Sequence, residues 1–508
     1  MNSPSPSTLL RPEWDGRCLT LHKAPSAVLG VVIDGSRFID LVAGQDGVAR
    51  LELAFSPSGH ACLDLGIVVA GAKVAAFGIE INQPGLGTIA TRPHVLRDLG
   101  AAERLVPIDA TPMRREVAIV VPVYNAAEDV ERCLDSVLAH TTGPSRLIVI
   151  DDASTDARIA PLLDRYRNIE GVEILANPEN LGFTATVNRG IALAGRADVV
   201  LLNADAEVGA AWLTGLRRAL HAGDDIATVT AVSDNAGAFS VPELEQENPL
   251  PAGWTFAQTA LALWHDAGLA YPQLPTGNGF CMLIRREVID AIGAFDVEAF
   301  PQGYGEENDF CQRACAAGYR HLIAGNVLVR HARSRSFGHA RRQALGRAGM
   351  QVLRERWPRY EADVGSSLFS FERRVLDWRV RRIHADAGKH HPQPRLLCLA
   401  ADGGNSGPSG YDRLMLTSSD SGCSLGRFGD DPIETADAFD ARIASTWLQR
   451  HAIDRIALGG RCNSALGSVL ASEADRLGIP LQPNHGVGPA GSDDAQAGAR
   501  HSFSGSKS

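Results

Sequence analysis

From Val117 onward the chain alternates apolar runs with segments of helical periodicity, and this alternation restricts the fold more than any other feature of the sequence. "VAIVVPVYN" is a continuous apolar run, as a strand covered on both faces requires. "AAEDVERCLDSVLAH" has helical spacing and "SRLIVIDDASTD" is a second buried strand. "RIAPLLDRYRN" reads as helix, "VEILANPEN" as a third strand, "GFTATVNRGIALAG" as helix and "ADVVLLNADAE" as a fourth strand. Such a pattern predicts βαβ units, a mostly parallel sheet and an α/β fold. Ligands of these sheets sit outside the carboxyl ends of the strands. Tyr124, Asp151, Asp152 and Asp205 fall at those ends.

At 508 residues the chain exceeds what one core accommodates. Residues 1–111 read as a β-rich accessory domain of sandwich type, with strands in "RCLTLHKA", "VLGVVID", "RFIDLVAG", "VARLELAF", "CLDLGIVVAG" and "KVAAFGIEI". The α/β domain spans 115–345, and a helical connector spans 346–388. From Arg330 to Ile383 there are 14 Arg, 5 acids and no Lys, with Trp357 and Trp378 among them. A basic helix of this kind rests on anionic headgroups, holds a phosphorylated acceptor, or simply links domains through solvent. "RLLCLAADGG" opens a smaller α/β region over 390–488, and the small, polar tail 489–508 reads as disordered.

Composition excludes several functions. A net charge of −10 and a pI near 5.8 argue against nucleic acid. Nine cysteines without a Cys-x-x-Cys pair suggest reduced thiols and not a disulfide or zinc framework. No apolar run reaches the ~20 residues that span a bilayer. "MNSPSPSTLLRPEWDG" lacks the charged and apolar regions of a secretory leader, so the expected location is cytoplasmic, with peripheral contact at the inner face of the plasma membrane.

Four stretches carry chemistry. Tyr124 can pack on a base, and Asp152 can accept a hydrogen bond from a pyrimidine imide, although "DDASTD" also suits helix capping. In "NPENLGFTATVNRG", Gly182 permits close backbone approach. In "VVLLNADAEV", Asn203 stands where a paired Asp-x-Asp puts its first acid, leaving Asp205 and the adjacent Glu207. Hard cations need few protein ligands when a diphosphate supplies oxygens. Glu306, Glu307 and Asp309 follow the aromatic-Gly loop "AFPQGYG" at a helix start, more acids than the helix dipole alone calls for. His331 ends the strand "HLIAGNVLVRH".

These stretches, with "TGNGFCMLIRREVIDAIGAFD", "GYGEENDFCQRACAAGY" and "VRHARSRSFG", resemble in order the inverting glycosyltransferases of family 2 over about residues 115–340. Closest in look is the branch of rhamnosyl and other deoxysugar transferases of bacterial surface polysaccharides. The resemblance implies the GT-A nucleotide-diphospho-sugar transferase fold and inverting transfer from a nucleotide-diphosphate sugar to a glycan or lipid-linked glycan. Pro122, Tyr124, Asn125, Asp151, Asp152, Asn180, Gly182, Asn203 and Asp205 would hold the nucleotide sugar. Asp205 and His331 would bind Mg²⁺ or Mn²⁺. Glu307, or its neighbour Glu306, would be the general base, in the place where the family has the Asp of a Glu-Asp pair. Gly277, Asn278, Gly279 and Asp309 would lie in the acceptor or diphosphate region. The 390–488 region resembles one lobe of a GT-B glycosyltransferase, without the donor-binding half. A sugar-1-phosphate nucleotidyltransferase would want a Gly-rich basic loop that "VPVYNAAEDVERC" lacks. A carbohydrate-binding or scaffolding protein is the non-enzymatic alternative, against which the retention of Asp205, Glu307 and His331 together speaks.

Overall fold

The computed structural model describes residues 113–482, apart from 333–338, 369, 389–390, 400–409, 420–421, 428 and 459–463. Before residue 113 it describes eight strands with Gly44 and Asp46. The expected tail, 489–508, lies outside the described residues. Two compact units divide the chain near residue 104, the first also taking in 369–378.

The first unit holds two antiparallel sheets. One joins Arg11–Trp14, Cys18–His22 and Val48–Glu52. The other runs in the order Arg37–Leu41, Leu29–Ile33, Ala61–Val69, Val74–Ile81, Thr91–Arg92. All six expected strands are present. Arg11–Trp14, which contains a proline, and the two-residue Thr91–Arg92 are additions with no apolar alternation to announce them.

The second unit is built on an eight-stranded sheet. Its order is Val172–Ala176, Ser145–Asp151, Val117–Val123, Asp198–Leu202, Cys281–Ile284, Ile226–Val232, Arg320–His331, Ala206–Val208. The first four strands are parallel, as the alternation predicts. Cys281–Ile284 then runs antiparallel to both neighbours, so the sheet is mixed, although Ile226–Val232 and Arg320–His331 beyond it again pair in parallel. That strand is four residues long, too short for periodicity to reveal.

Burial follows from the apolar runs. In Val117–Val123 every residue but Pro122 is buried, consistent with cover on both faces. Val120, Ile148, Ile150, Val187, Leu201 and Met282 share one core, each such side chain contributing about 1.5–3 kcal/mol on full burial. The helix Phe183–Leu193 lies directly on this layer: a Cβ at Gly190 would fall onto the Val120 side chain. The chain lays its first three parallel strands toward one edge and returns to place the fourth on the other side of the first. Crevices form where strand order reverses in this way, here at the ends of Val117–Val123 and Asp198–Leu202.

Helices His339–Arg356, Tyr360–Ser367 and Phe371–Asp386 follow. Their arginines are largely paired with the protein's own acids: Arg354 with Glu361, Arg356 with Asp296 and Asp309, Arg359 with Asp363, Arg381 with Glu243 and Arg382 with Asp386. A second, five-stranded sheet comes next, in the order Glu434–Ala436, Gly422–Gly426, Asp412–Ser419, Arg395–Leu399, Arg455–Ala457. Two helices, Ala441–Arg450 and Ala465–Leu477, accompany it, capped by Asp440 and Ser464. After the second of these helices the chain meets the sheet through a single bridge between Ile456 and Leu481. Asp454 ties this region to the larger sheet's helices, accepting from Trp264 Nε1 at 2.9 Å and pairing with His265 Nε2 at 2.7 Å. Among the described residues no helix is long and apolar enough to cross a membrane.

Candidate active site

A cavity of about 530 Å³ opens at the reversal point of the sheet, within the range of small-molecule sites. Strand ends supply one wall. Pro122, Tyr124 and Asn125 line it where Val117–Val123 stops. Asn125 (φ 60) and Ala126 (φ 58) are both left-handed, and the turn is held by side-chain bonds. Asn125 Oδ1 accepts from the amides of Thr155 at 2.8 Å and Asp156 at 2.9 Å, while its own amide donates to Ser154 Oγ at 2.8 Å. The "DDASTD" turn thus buttresses the wall without reaching the cavity.

Asp152 is 5% exposed and does not line the cavity. Its Oδ1 accepts from Asn177 Nδ2 at 2.7 Å and the Leu181 amide at 2.8 Å, and its Oδ2 from the Gly182 amide at 3.0 Å. These bonds make Asp152 a pin for the loop before Phe183–Leu193. Asp151 Oδ1 accepts from the Ser154 amide at 3.0 Å, and Asn180 is exposed; neither lines the cavity. Gly182 has φ 85, and a Cβ there would come 2.5 Å from the Pro301 carbonyl oxygen, so the close approach it permits is to the protein's own backbone.

The floor is the stretch with one carboxylate. Ala206–Val208 pairs antiparallel with the end of Arg320–His331, placing Ala206 across from His331 and Asp205 beside it. His331 Nε2 lies 3.4 Å from Asp205 Oδ1 and 3.4 Å from Asn203 Nδ2. Its Nδ1 is 3.1 Å from the Asn235 carbonyl, which only accepts, so Nδ1 carries a hydrogen, and in the neutral form of the ring the Nε2 lone pair faces Asp205. Two acceptors that face each other need a proton or a cation between them, and an imidazole oriented by a carbonyl behind it is the usual arrangement of a metal ligand. Phe280 stacks on the ring at a centroid distance of 5.2 Å. Among the described residues no group of three or more His, Cys, Asp or Glu converges to hold a metal ion, so any ion here would draw further oxygens from its ligand. Glu207 lines nothing; it sits 3.7 Å from Arg330.

The remaining wall comes from Asn278, Gly279 and Phe280, from Gln302 to Tyr304, and from Glu306 and Glu307 at the start of the helix Glu306–Ala316. Glu306 is 3% exposed and accepts from the Gly305 amide at 3.0 Å. Burial, followed by the charge of Glu307 and a hydrogen bond to it, pushes the Glu306 carboxyl well above the usual range. Glu307 Oε2 is shielded from solvent and accepts from no donor group among the described residues. Asp309, grouped with these acids by sequence, is fully buried and lies off the cavity. It pairs with Arg313 at 2.9 Å and Arg356 at 3.1 Å and accepts from Trp357 Nε1 at 3.0 Å. Gly277 is also off the cavity; a Cβ there would strike the Met282 sulfur.

Sequence reasoning missed Asp129, Phe183, Gln302 and Tyr304, all of which line the cavity. The pattern "GYG" around Tyr304 was the available signal for the last of these.

A family model described as "Glycosyl transferase family 2" matches residues 118–293. Over 247 residues the chain is 26% identical to the N-acetylglucosaminyl-diphospho-decaprenol L-rhamnosyltransferase of Mycobacterium tuberculosis, covering 43% of this chain and 77% of that protein. Over 241 residues it is 24% identical to the glycosyltransferase AglE of Haloferax volcanii, covering 46% and 73%. The solved mannosyltransferase PcManGT from Pyrobaculum calidifontis, in complex with GDP-Man and Mn²⁺, superposes with a TM-score of 0.36 at 19% identity, covering 56% of this chain and 78% of that one.

Proposed function

The chain carries a glycosyltransferase family 2 domain over residues 118–293, and we propose that it transfers a hexosyl or deoxyhexosyl unit, with inversion, from a nucleotide-diphosphate sugar to a hydroxyl of a glycan or glycolipid. The observation that carries this reading is one cavity that joins the strand ends at the sheet's reversal point to the Glu306–Glu307 pair. The relatives support surface-polysaccharide or glycolipid synthesis as the setting, one of them being named for a diphosphate-lipid acceptor.

Tyr124, Pro122 and Asn125 receive the nucleotide, with Tyr124 offering a ring face to the base. Asn203 offers an amide to ribose or diphosphate oxygens. The acceptor hydroxyl hydrogen-bonds to the Glu307 carboxylate and gives up its proton there as its oxygen bonds to the anomeric carbon. The bond from that carbon to the diphosphate breaks, and its electron pair leaves with the nucleotide. General-base help of this kind is worth roughly 10²–10⁴-fold. Glu306, protonated, donates to Glu307 and holds it in place while contributing no second charge. Mg²⁺ or Mn²⁺, held by Asp205 and His331, would supply Lewis-acid neutralisation of the departing diphosphate.

This reading has a lipid-linked acceptor met at the cytoplasmic face of the membrane, with peripheral contact through the arginine-rich helices. The ion pairs of Arg354, Arg356, Arg359, Arg381 and Arg382 leave less of that charge for headgroups than the sequence suggests.

Nucleotide release from a panel of UDP-, dTDP- and GDP-sugars, with Mn²⁺, Mg²⁺ or EDTA, tests the reading. Release from one donor that rises with an envelope glycolipid acceptor and stops in EDTA is the expected result. Silence across the panel, together with no calorimetric binding of any of the three nucleotides, would refute it.

A further inference from the structure

The wall that bears Glu306 and Glu307 also bears an aromatic ring to which no role has been given. We propose that Tyr304 is the platform on which the acceptor sugar lies while its hydroxyl meets Glu307; the proposal rests on the transferase reading above.

The backbone around it is unusual. Gly303 (φ 86), Tyr304 (φ 67) and Gly305 (φ 146) are three consecutive residues at positive φ. Glycine takes such angles freely, but a bulky L-residue there is strained. A chain that needed only a turn would put Gly, Asn or Asp at position 304.

Packing from behind enforces the conformation. A Cβ at Gly305 would come 2.5 Å from the Phe300 ring, and a Cβ at Gly349 would land on the Tyr304 carbonyl oxygen. Gly349 belongs to the helix His339–Arg356, whose Leu353 packs with Phe300 and Tyr360 in one buried cluster. Asp309 anchors the end of that helix through Arg356 and Trp357. The loop is thus clamped on its protein side, and the residue it presents to the cavity is a half-buried tyrosine. A second ring, Phe183, adjoins the same loop: its Cδ1 lies 3.5 Å from a Cβ position on Gly303.

The chemistry of the ligand follows from this lining. A pyranose has an apolar C–H face, which an aromatic face accepts, and a polar rim of hydroxyls. Gln302 and Asn278, also on this wall, are hydrogen-bonding groups suited to that rim. The position is that of the acceptor and not the donor, because the platform lies two residues before the pair that takes the acceptor's proton. The ligand class is the terminal hexose or N-acetylhexosamine of the acceptor glycan.

The test uses octyl β-N-acetylglucosaminide as acceptor probe, with UDP and dTDP as donor-side probes. Tyr304→Asn removes the ring but tolerates the left-handed backbone, and Tyr304→Phe keeps the ring. With the donor that the panel identifies, Tyr304→Asn is expected to raise the acceptor KM by about tenfold or more, about 1.4 kcal/mol. Its nucleotide Kd should stay within about twofold and its thermal midpoint should not fall, while Tyr304→Phe should match wild type. Saturation-transfer NMR on the probe needs no turnover and should show contact in wild type and Tyr304→Phe but not in Tyr304→Asn. Contact that depends on the ring in a protein that transfers nothing would sustain the platform and sink the transferase reading. No contact in wild type, equal contact in wild type and Tyr304→Asn, or an equal loss of nucleotide binding would overturn the platform.

Discussion

The two walls of the cavity are built by different means. Tyr124, Asn125, Asn203 and Asp205 follow directly on paired parallel strands, so backbone hydrogen bonds of the sheet fix where they stand. Gln302, Tyr304, Glu306 and Glu307 stand on a loop and a helix start. Their positions depend on side-chain packing against Phe300, Gly349 and Trp357, residues up to half a hundred positions away. The family match, residues 118–293, takes in the strand-end wall and Asn278–Phe280 and stops short of the loop and helix start that carry Gln302, Tyr304, Glu306 and Glu307. A wall made by the sheet suits a ligand part shared among many transferases, the nucleotide diphosphate. One made by packing is free to vary, and suits the acceptor.

If that division is right, substitutions should separate nucleotide binding from transfer, and they can be ranked by expected effect. Glu307→Gln should lower the transfer rate by roughly 10²–10⁴-fold while leaving nucleotide affinity unchanged by calorimetry. A parallel fall in nucleotide binding would break the comparison. Asp205→Ala should weaken nucleotide binding in Mn²⁺ by about 10–100-fold and bring it to the wild-type value in EDTA. Mn²⁺-dependent binding that survives the change would remove Asp205 from the floor.

Asp152→Asn sharpens the strand-end side. The amide can accept at one atom only, so either the Leu181 or the Gly182 amide loses its partner, which should cost about 1–3 kcal/mol and lower the thermal midpoint. Nucleotide affinity should change less. A selective loss of UDP over GDP binding at an unchanged midpoint would return Asp152 to the base.

Glu306→Gln is the smallest. Because the folded state holds the Glu306 proton more tightly than the unfolded chain, its stabilising contribution is complete at low pH and declines as pH rises above the ordinary 4.5. The variant is neutral at every pH and keeps a donor for Glu307. It should therefore melt with wild type at pH 4 and about 2–4 °C above it at pH 8, with transfer nearly retained. A variant less stable than wild type at pH 8 would mean Glu306 is charged.

How much of this was legible in the sequence differs between the walls for the same physical reason. The parallel strands, the strand-end residues Tyr124 and Asp205, and the acids Glu306 and Glu307 were readable because apolar runs and helix starts are local signals. The antiparallel strand Cys281–Ile284 was not, since "CMLI" is short and its pairing with Asp198–Leu202 spans some eighty residues. Asp152 was readable as a strand-end acid but not as the partner of amides 29 and 30 positions on. Asp309 looked like a third site acid, though Arg313 one turn later already hinted at an internal ion pair. Tyr304 is backed by Gly349, far along the chain, a close approach that no local pattern encodes.

The account stands on a single displacement at the anomeric carbon, driven from the Glu307 side. The anomeric configuration of the purified transfer product, read by proton NMR against that of the donor, tests it most directly. The account predicts inversion. A product that keeps the donor's configuration would contradict it, since a lone base on the acceptor side cannot give that outcome.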